Sequence, residues 1–165
     1  MPTTTTQAQA RWHEIVDDPA LQDLSYTVET NRRSQLILSP HSNRHSLQQR
    51  SVQQLLDRHA PEGIVAPEFA LATDQGVKVP NVVWMSATRW EAMRQTGDPS
   101  MLAPEICVEV LSASNTVDEL AEKRALYRDA GADEVWLVEP DGRIRFFRAS
   151  ETDRSKIAPD CPSHT

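Results

Sequence analysis

One acidic residue inside an apolar strand constrains this chain more than any other feature of its sequence. Residues 106–111 read ICVEVL, which predicts a buried strand that carries a single charge, Glu109. Burying a carboxylate there is costly unless it is paired or bound to a cation. After a Ser/Thr/Asn-rich turn, a capping box at Thr116 and Glu119 opens a helix that carries Lys123. We therefore interpret Glu109 as a residue kept for chemistry and Lys123 as its candidate partner.

Length and charge bound the classes of protein to which the chain can belong. Its 165 residues predict one domain with a real hydrophobic core, and no apolar run approaches the roughly 18 residues of a membrane helix. No charged-then-apolar signal segment opens the sequence, so we expect a cytoplasmic protein. The net charge of −7 argues against strong non-specific binding to nucleic acid, although a local basic face remains compatible with it.

The order of the predicted elements favours an α/β or α+β domain. Along the chain we expect a helix, two strands, a helix, two strands, a short helix, a strand, a helix and a closing hairpin. This order predicts a mixed β-sheet flanked by helices. We place an N-terminal helix and lead-in at residues 1–25, the main domain at 26–148, and a polar tail at 149–165 for which we expect disorder.

Two predicted strands bring polar side chains together if they are neighbours in the sheet. Residues 77–85 form one of them, and Pro80 inside it predicts a bulge or an edge position that aims Asn81 specially. Because side chains alternate along a strand, Asn81 and Glu109 would then point into one pocket. Lys123 follows Glu109 by 14 residues, and a helix packed back on its own strand would return the ammonium group to the same pocket.

A longer pattern surrounds these residues and resembles a known family. Residues 104–144 read PEICVEVLSASNTVDELAEKRALYRDAGADEVWLVEPDGRI, with YTVE at 26–29, LILSP at 36–40 and VPNVV at 79–83. The landmarks include the inner glutamate, a helix with lysine then tyrosine, and a tryptophan strand that ends in acid-proline. This pattern resembles the Uma-type restriction endonuclease family, a branch of the PD-(D/E)XK nuclease superfamily, over roughly residues 26–148.

The resemblance implies a restriction-endonuclease-like fold and a metal-dependent endonuclease that hydrolyses DNA phosphodiester bonds. In the superfamily, acids on two neighbouring strands bind Mg²⁺ or Mn²⁺, and the metal activates the water nucleophile. Carried over to this sequence, the metal ligands are Glu109 and Asn81, and Lys123 orients the water or stabilises charge on the phosphate. Glu29 is expected to complete the catalytic set, and His45 to contact the pocket or the DNA.

Asn81 is the main departure from the family pattern, which has an aspartate at this position. An amide offers one neutral oxygen in place of a carboxylate, so the affinity for metal should fall. The first hairpin turn also lacks the usual glycine, and the chain is expected to stop sooner after the last hairpin than family members do. These departures leave open a second function, that of a catalytically degenerate nuclease fold that acts as a binding or assembly module.

Plainer interpretations of the same residues also stay open. Glu109 would be paired with a structural lysine or arginine, and Lys123 would form a solvated i,i+4 pair with Glu119. Asn81 would be a bulge residue in a strand without catalytic function, and His45 a helix cap or a surface residue. An unrelated small α/β domain that shares only the pattern is the third alternative for the chain as a whole.

The remaining expectations concern neighbouring residues and partners. Tyr127 and Trp136 are most simply core residues, and Glu68 is expected to be solvated. DNA is the expected partner, and no membrane is expected. Because cutting both strands of a duplex is easiest with two sites, we expect a homodimer.

Overall fold

The computed structural model describes residues 4–22 and 26–165, which form four helices, a short 3₁₀ turn and ten strands. The helices are α1 (Thr5–Val16), α2 (Asn43–His59), α3 (Ala87–Arg94) and α4 (Val117–Asp129), and the 3₁₀ turn is Pro19–Leu21. The strands are β1 (Tyr26–Thr30), β2 (Leu36–Pro40), β3 (Ile64–Pro67), β4 (Leu71–Thr73), β5 (Gly76–Lys78), β6 (Val82–Met85), β7 (Ile106–Val110), β8 (Glu134–Val138), β9 (Ile144–Phe147) and β10 (Glu151–Thr152). None of the helices in this part of the chain has the length and apolar character needed to cross a membrane.

The central sheet has six strands in the order β10-β9-β8-β7-β6-β3. β7 and β8 run parallel because α4 carries the chain back between them, and the other neighbours are antiparallel. The predicted mixed sheet flanked by helices is therefore confirmed. The convergence of Asn81 and Glu109 depended on these two strands being neighbours, and this condition is met, since Val82 of β6 lies opposite Val108 of β7.

Helices cover both faces of this sheet. On one face, Leu56 of α2 packs in a core that includes Val108, and on the other face Tyr127 of α4 packs in a core that includes Cys107. Successive side chains of β7 thus point to opposite faces, as the pleat of a strand requires. Glu109 consequently points to the face that α4 covers, which is the geometry needed for a contact with that helix.

The strand predicted over residues 77–85 is divided in the structure. β5 pairs with β4 in a separate two-stranded sheet, whereas β6 joins the central sheet. Pro80 lies between them and has no N–H group to donate to a neighbouring strand, which explains the interruption. The interruption ends at Asn81, whose N–H group donates to the carbonyl oxygen of Val108 at 2.9 Å and thereby fixes Asn81 beside β7.

Residues 149–165, expected to be disordered, pack against the sheet in the structure. β10 pairs with β9, and the buried side chain of Cys161 joins the hydrophobic core. The carboxylate of Glu134 holds this segment, because it accepts hydrogen bonds from the hydroxyl of Ser155 at 2.6 Å and from the N–H group of Lys156 at 2.8 Å. The polar composition is thus compatible with order because an earlier strand supplies a buried acceptor.

The N-terminal helix α1 also packs against the main domain. Ala8 is buried in a small apolar cluster with Val77 and Val79. The amide of Gln9 donates to the carbonyl oxygen of Pro99 at 2.7 Å. Residues 1–3 and 23–25 of the predicted lead-in lie outside the described part of the chain.

Candidate active site

A pocket of about 510 Å³ beside the carboxyl end of β7 brings together all five residues predicted for the site. Glu29 comes from β1, His45 from α2, Asn81 from the segment before β6, Glu109 from β7 and Lys123 from α4. They meet because the β1–β2 hairpin and the first turn of α2 lie over the end of the central sheet. The structure thus brings the predicted side chains together in one location.

Lys123 bridges two buried carboxylates. Its Nζ atom lies 3.0 and 3.1 Å from the two carboxylate oxygens of Glu29 and 3.5 Å from Oε1 of Glu109. Burial alone would lower the pKa of Lys123, but the carboxylates of Glu109 and Glu29 outweigh it and raise this pKa above its ordinary value. The alternative of a solvated pair with Glu119 is wrong, because the carboxylate of Glu119 instead closes the predicted capping box with Thr116.

Glu109 uses one of its two carboxylate oxygens for contacts with the protein. The hydroxyl of Tyr127 donates to Oε1, the same oxygen that faces Lys123. Burial raises the pKa of Glu109 to about 7, and Lys123 opposes this effect. Within residues 4–22 and 26–165, Oε2 takes part in no hydrogen bond. Glu109 therefore lines the pocket with an oxygen that remains available to a ligand.

Glu29 joins the β1–β2 hairpin to the rest of the site. Its Oε2 atom accepts a hydrogen bond from the N–H group of Val79 at 2.6 Å while both oxygens face Lys123. Next to it, Oγ1 of Thr30 accepts from the N–H group of Val77 at 2.8 Å. The acid predicted to complete the pocket therefore has a second task, which is to hold the hairpin against β5.

The side chain of Asn81 connects two segments at the edge of the pocket. Its Oδ1 atom accepts from the N–H group of Val110 at 2.8 Å, and its Nδ2 atom lies 3.4 Å from Oε1 of Glu68. Because only the oxygen can accept from an N–H group, the bond from Val110 fixes the orientation of the amide. Asn81 thus orders the end of β7 directly after Glu109, and a carbonyl oxygen retains a second lone pair for another partner.

Glu68 is exposed, as expected, and its carboxylate also takes part in this network. Besides its contact with Asn81, its Oε2 atom accepts from the hydroxyl of Thr27 at 3.2 Å. Burial raises the pKa of Glu68 above its ordinary value. Its backbone has a φ of 49°, a conformation that non-glycine residues adopt at an energetic cost. Glu68 lines a neighbouring pocket together with Thr27 and His41.

His45 is buried at the start of α2, so its assignment as a cap or surface residue is wrong. Only 5% of it is exposed, and the helix cap is Ser42, whose hydroxyl accepts from the N–H group of His45 at 3.1 Å. Burial, together with the neighbouring ring of His41 at 4.0 Å, lowers the pKa of His45 to about 4. Among the described residues, none forms a hydrogen bond with Nδ1 of His45. The imidazole is therefore neutral near pH 7.

Two residues of the site were missed or assigned another role by the sequence interpretation. Tyr127 is buried as expected of a core residue, but its hydroxyl also binds Glu109. It follows Lys123 by four residues, the spacing that places two side chains on one helix face, and this spacing is a signal that could have found it. Arg44 lines the pocket next to His45, and no pattern in the sequence marks it.

The donor chemistry of the pocket bears on the divalent metal that the resemblance implies. The part of the chain that the structure describes contains no group of three His, Cys, Asp or Glu side chains arranged to hold a metal ion. Oε2 of Glu109 and Oδ1 of Asn81 are nevertheless hard oxygen donors, and Mg²⁺ commonly binds through one or two carboxylates together with substrate phosphates. The residues therefore fit a weak Mg²⁺ site that a phosphate group completes, as opposed to a closed site made by protein alone.

Comparisons with known proteins agree with this architecture. The family model Uma2, described as "Putative restriction endonuclease", matches residues 23–158. Among solved structures, the crystal structure of a putative nuclease belonging to DUF820 from Anabaena variabilis ATCC 29413 superposes with a TM-score of 0.60 at 15% identity, over 78% of this chain and 75% of that chain. At this identity the likeness concerns the fold. No curated protein matches the sequence significantly.

Proposed function

Because the chain belongs to the Uma2 family of putative restriction endonucleases, we propose that its pocket hydrolyses DNA phosphodiester bonds with the help of a divalent metal. The observation that carries the proposal is the convergence of Glu29, His45, Asn81, Glu109 and Lys123 from five separate segments on one pocket. Buried ionisable groups with strongly shifted pKa values are typical of functional sites, and both Glu109 and His45 have them.

Glu109 and Asn81 would hold the metal, which when bound would polarise the phosphate and lower the pKa of the attacking water. With a pKa of about 7, Glu109 exists in protonated and ionised forms together at neutral pH in the metal-free protein. Binding of a cation to its oxygen must therefore release a proton from the protonated fraction. The affinity for metal should rise with pH on both sides of neutrality.

Lys123 and Tyr127 act on Glu109 in this proposal. Lys123 favours the ionised form of the carboxylate through its charge, and the hydroxyl of Tyr127 fixes the direction of the group through the same oxygen. Oε2 is then left facing the ligand. His45 is neutral near pH 7, so it would contact substrate as a hydrogen-bonding group without adding a charge. Glu29 would hold Lys123 in place.

A second candidate function is favoured by one observation at Asn81. Its amide oxygen accepts from Val110 and its amide nitrogen faces Glu68, so the side chain already serves as a structural connector. In that case the pocket would have lost its metal and would serve a nuclease-fold binding or assembly module. The two functions differ in whether the native protein binds a divalent metal through Glu109.

Calorimetric titration with Mg²⁺ and Mn²⁺ separates these two functions. If the protein is a nuclease, we expect the native protein to bind metal and to nick supercoiled plasmid in a metal-dependent reaction. Glu109→Gln should lose the metal binding. Asn81→Asp should bind metal about tenfold more tightly, because a carboxylate replaces a neutral donor. The matched control is Gln54→Glu, which adds the same charge at an exposed position further along α2. Metal binding seen only in Asn81→Asp would contradict the nuclease and support the binding module.

We extend the proposal to a homodimer, in which two pockets would act on the two strands of a duplex. Sedimentation of the protein with a short duplex measures the stoichiometry. A protein that cleaves both strands while it remains a monomer on the duplex would contradict this extension and leave the assignment of the pocket untouched.

A further inference from the structure

Two Lys or Arg side chains line the pocket, and they differ in their partners. Lys123 lies between the carboxylates of Glu29 and Glu109. Arg44 forms no ion pair with any carboxylate in residues 4–22 and 26–165, and its hydrogen bonds go to Gln48 and Leu111. The acids of the pocket thus neutralise Lys123 and leave the charge of Arg44 for a ligand.

The contacts of Arg44 leave a particular pair of donors unused. A guanidinium group has five N–H donors. Nη1 donates to Oε1 of Gln48 at 3.1 Å, and both Nη1 and Nη2 lie 3.5 Å from the carbonyl oxygen of Leu111. These contacts leave the N–H group of Nε and one N–H group of Nη2, which point in the same direction. Such a parallel pair matches two oxygens of a phosphate group.

Arg44 is held in this position before any ligand binds. The amide nitrogen of Gln48 donates to the carbonyl oxygens of Glu139 at 3.3 Å and Pro140 at 3.0 Å, which directs its Oε1 atom to the guanidinium. Leu111 follows β7 directly, so its carbonyl oxygen anchors Arg44 close to the strand that carries Glu109. A side chain that is already ordered loses less conformational entropy on binding than a free surface arginine.

The surroundings of Arg44 favour an anion over a cation. Ser42 and Arg44 line the pocket from the start of α2, whose first turn contains no acidic residue. The positive end of the helix dipole therefore adds to the charge of Arg44. Across the pocket, the hydroxyl groups of Ser112 and Ser114 belong to the turn after β7. The hydroxyl of Ser42 and the guanidinium of Arg44 can donate hydrogen bonds to phosphate oxygens, whereas the hydroxyl of Ser112 already bonds to Asn115 and Ser114.

We propose that Arg44 is the phosphate-binding residue of this pocket and that it grips one backbone phosphate of DNA through its Nε and Nη2 donors. Lys123 then serves to hold Glu109 and does not bind the phosphate itself. The inference deepens the proposed nuclease function by naming the residue that binds its substrate, but the binding of DNA through Arg44 requires no cleavage. The two can therefore be tested apart.

Fluorescence anisotropy with a short fluorescein-labelled duplex in EDTA measures this contact without metal or cleavage. Arg44→Ala should weaken binding about tenfold and reduce the slope of log affinity against log salt by about one, the change expected for one lost phosphate contact. Arg44→Lys should restore the slope but only part of the affinity, because an ammonium group lacks the parallel donors. Arg50→Ala removes an exposed arginine of the same helix and should change both quantities much less.

The outcomes separate the inference from the proposed function. If Arg44→Ala and Arg44→Lys both bind as the native protein does with unchanged salt slopes, the inference is overturned even where the native protein nicks plasmid. A native protein that binds no duplex at low salt overturns it too. If the native protein fails to nick plasmid in any divalent metal while Arg44→Ala weakens duplex binding, the nuclease proposal fails and the inference stands. Circular dichroism of each variant confirms folding, and Arg44→Lys preserves the charge should Arg44→Ala unfold.

Discussion

Two buried glutamates on neighbouring parallel strands, Glu109 on β7 and Glu134 on β8, differ in how their oxygens are used. Glu134 is 1% exposed and Glu109 is 6% exposed. The donors to Glu134 engage both of its oxygens and are Nε1 of Trp136, the hydroxyl of Ser155, Nη1 of Arg148 and the N–H groups of Lys156 and Ile157. The contacts of Glu109 lie on Oε1 alone.

The difference teaches that burial alone does not identify a site residue. Both carboxylates would be costly to bury without partners, and each has them. At Glu134 the donors are distributed over the whole group, so nothing remains for a ligand. At Glu109 one oxygen faces a pocket, and burial raises the pKa to about 7. The distribution of donors over the two oxygens separates a structural acid from one that can take part in chemistry.

Replacement of the structural acid should have the largest effect on stability. Glu134→Ala leaves Arg148 and several N–H groups without their acceptor and should lower the free energy of unfolding by about 3–5 kcal/mol. Urea denaturation followed by tryptophan fluorescence measures the loss, and limited proteolysis should show residues 149–165 released. Glu62→Ala, at an exposed position, is the control and should stay within about 0.5 kcal/mol of the native protein. A loss below about 1 kcal/mol in Glu134→Ala would contradict the structural assignment.

Glu109 should make the free energy of unfolding of the metal-free protein depend on pH. Burial raises the pKa of Glu109 to about 7 in the folded protein, whereas the pKa of a glutamate in the unfolded chain is about 4.3. As the pH rises, the unfolded chain therefore loses this proton before the folded protein does. The stability that the protonated group contributes is complete below about pH 4.3 and is lost as pH rises through 7. Glu109→Gln should abolish this decline, so its stability relative to the native protein should increase by a few kcal/mol between these limits. Denaturation in EDTA at several pH values measures it.

His45 provides a control of opposite sign for that experiment. Burial lowers its pKa to about 4, so the stability that it contributes is present above about pH 6.5 and is lost as pH falls toward 4. His45→Gln should therefore become relatively more stable as pH falls, whereas Glu109→Gln should become so as pH rises. Two difference curves with the same slope would show that one of the two pKa shifts has been assigned the wrong direction.

The smallest effects should come from removal of one hydroxyl beside each acid. Ser155→Ala deletes a donor to Glu134 and should cost about 1–3 kcal/mol of stability with no change at the pocket. Tyr127→Phe deletes the donor to Glu109, and since that hydrogen bond lowers the pKa, its loss should raise the pKa of Glu109 by up to about one unit. NMR titration of carboxyl-labelled glutamate follows the shift. An unchanged titration in Tyr127→Phe would argue against its positioning role.

The sequence was sufficient where local periodicity carries the information. The strand that carries Glu109 and the helix that carries Lys123 form where the apolar run and the capping box at Thr116 predict them. The convergence of Glu109 and Lys123 was also predictable, because a helix that follows a strand packs back on it and the family spacing marks both residues. Such features depend on neighbours in the chain, which a pattern records directly.

The sequence was insufficient where partners come from distant segments. Nothing near Glu134 indicates that the backbone of residues 156–157 will bind it, so the polar composition of the tail favoured disorder. Arg44 is similar, because Gln48 and the end of β7 position it together. A pattern predicts whether a side chain is buried, but it does not predict which oxygen receives which donor.

The β1–β2 hairpin forms a sheet of its own, and the hydrogen bonds that attach it to β5 and α4 pass through Glu29 and its neighbour Thr30. Its local opening is therefore thermodynamically linked to the charge state of the pocket. Any cation that competes with Lys123 for the carboxylates must change the free energy of this opening, and by reciprocity the open state must change the affinity for that cation. Amide hydrogen exchange in residues 26–30 and 36–39 consequently reports on occupancy of the site that this hairpin lines.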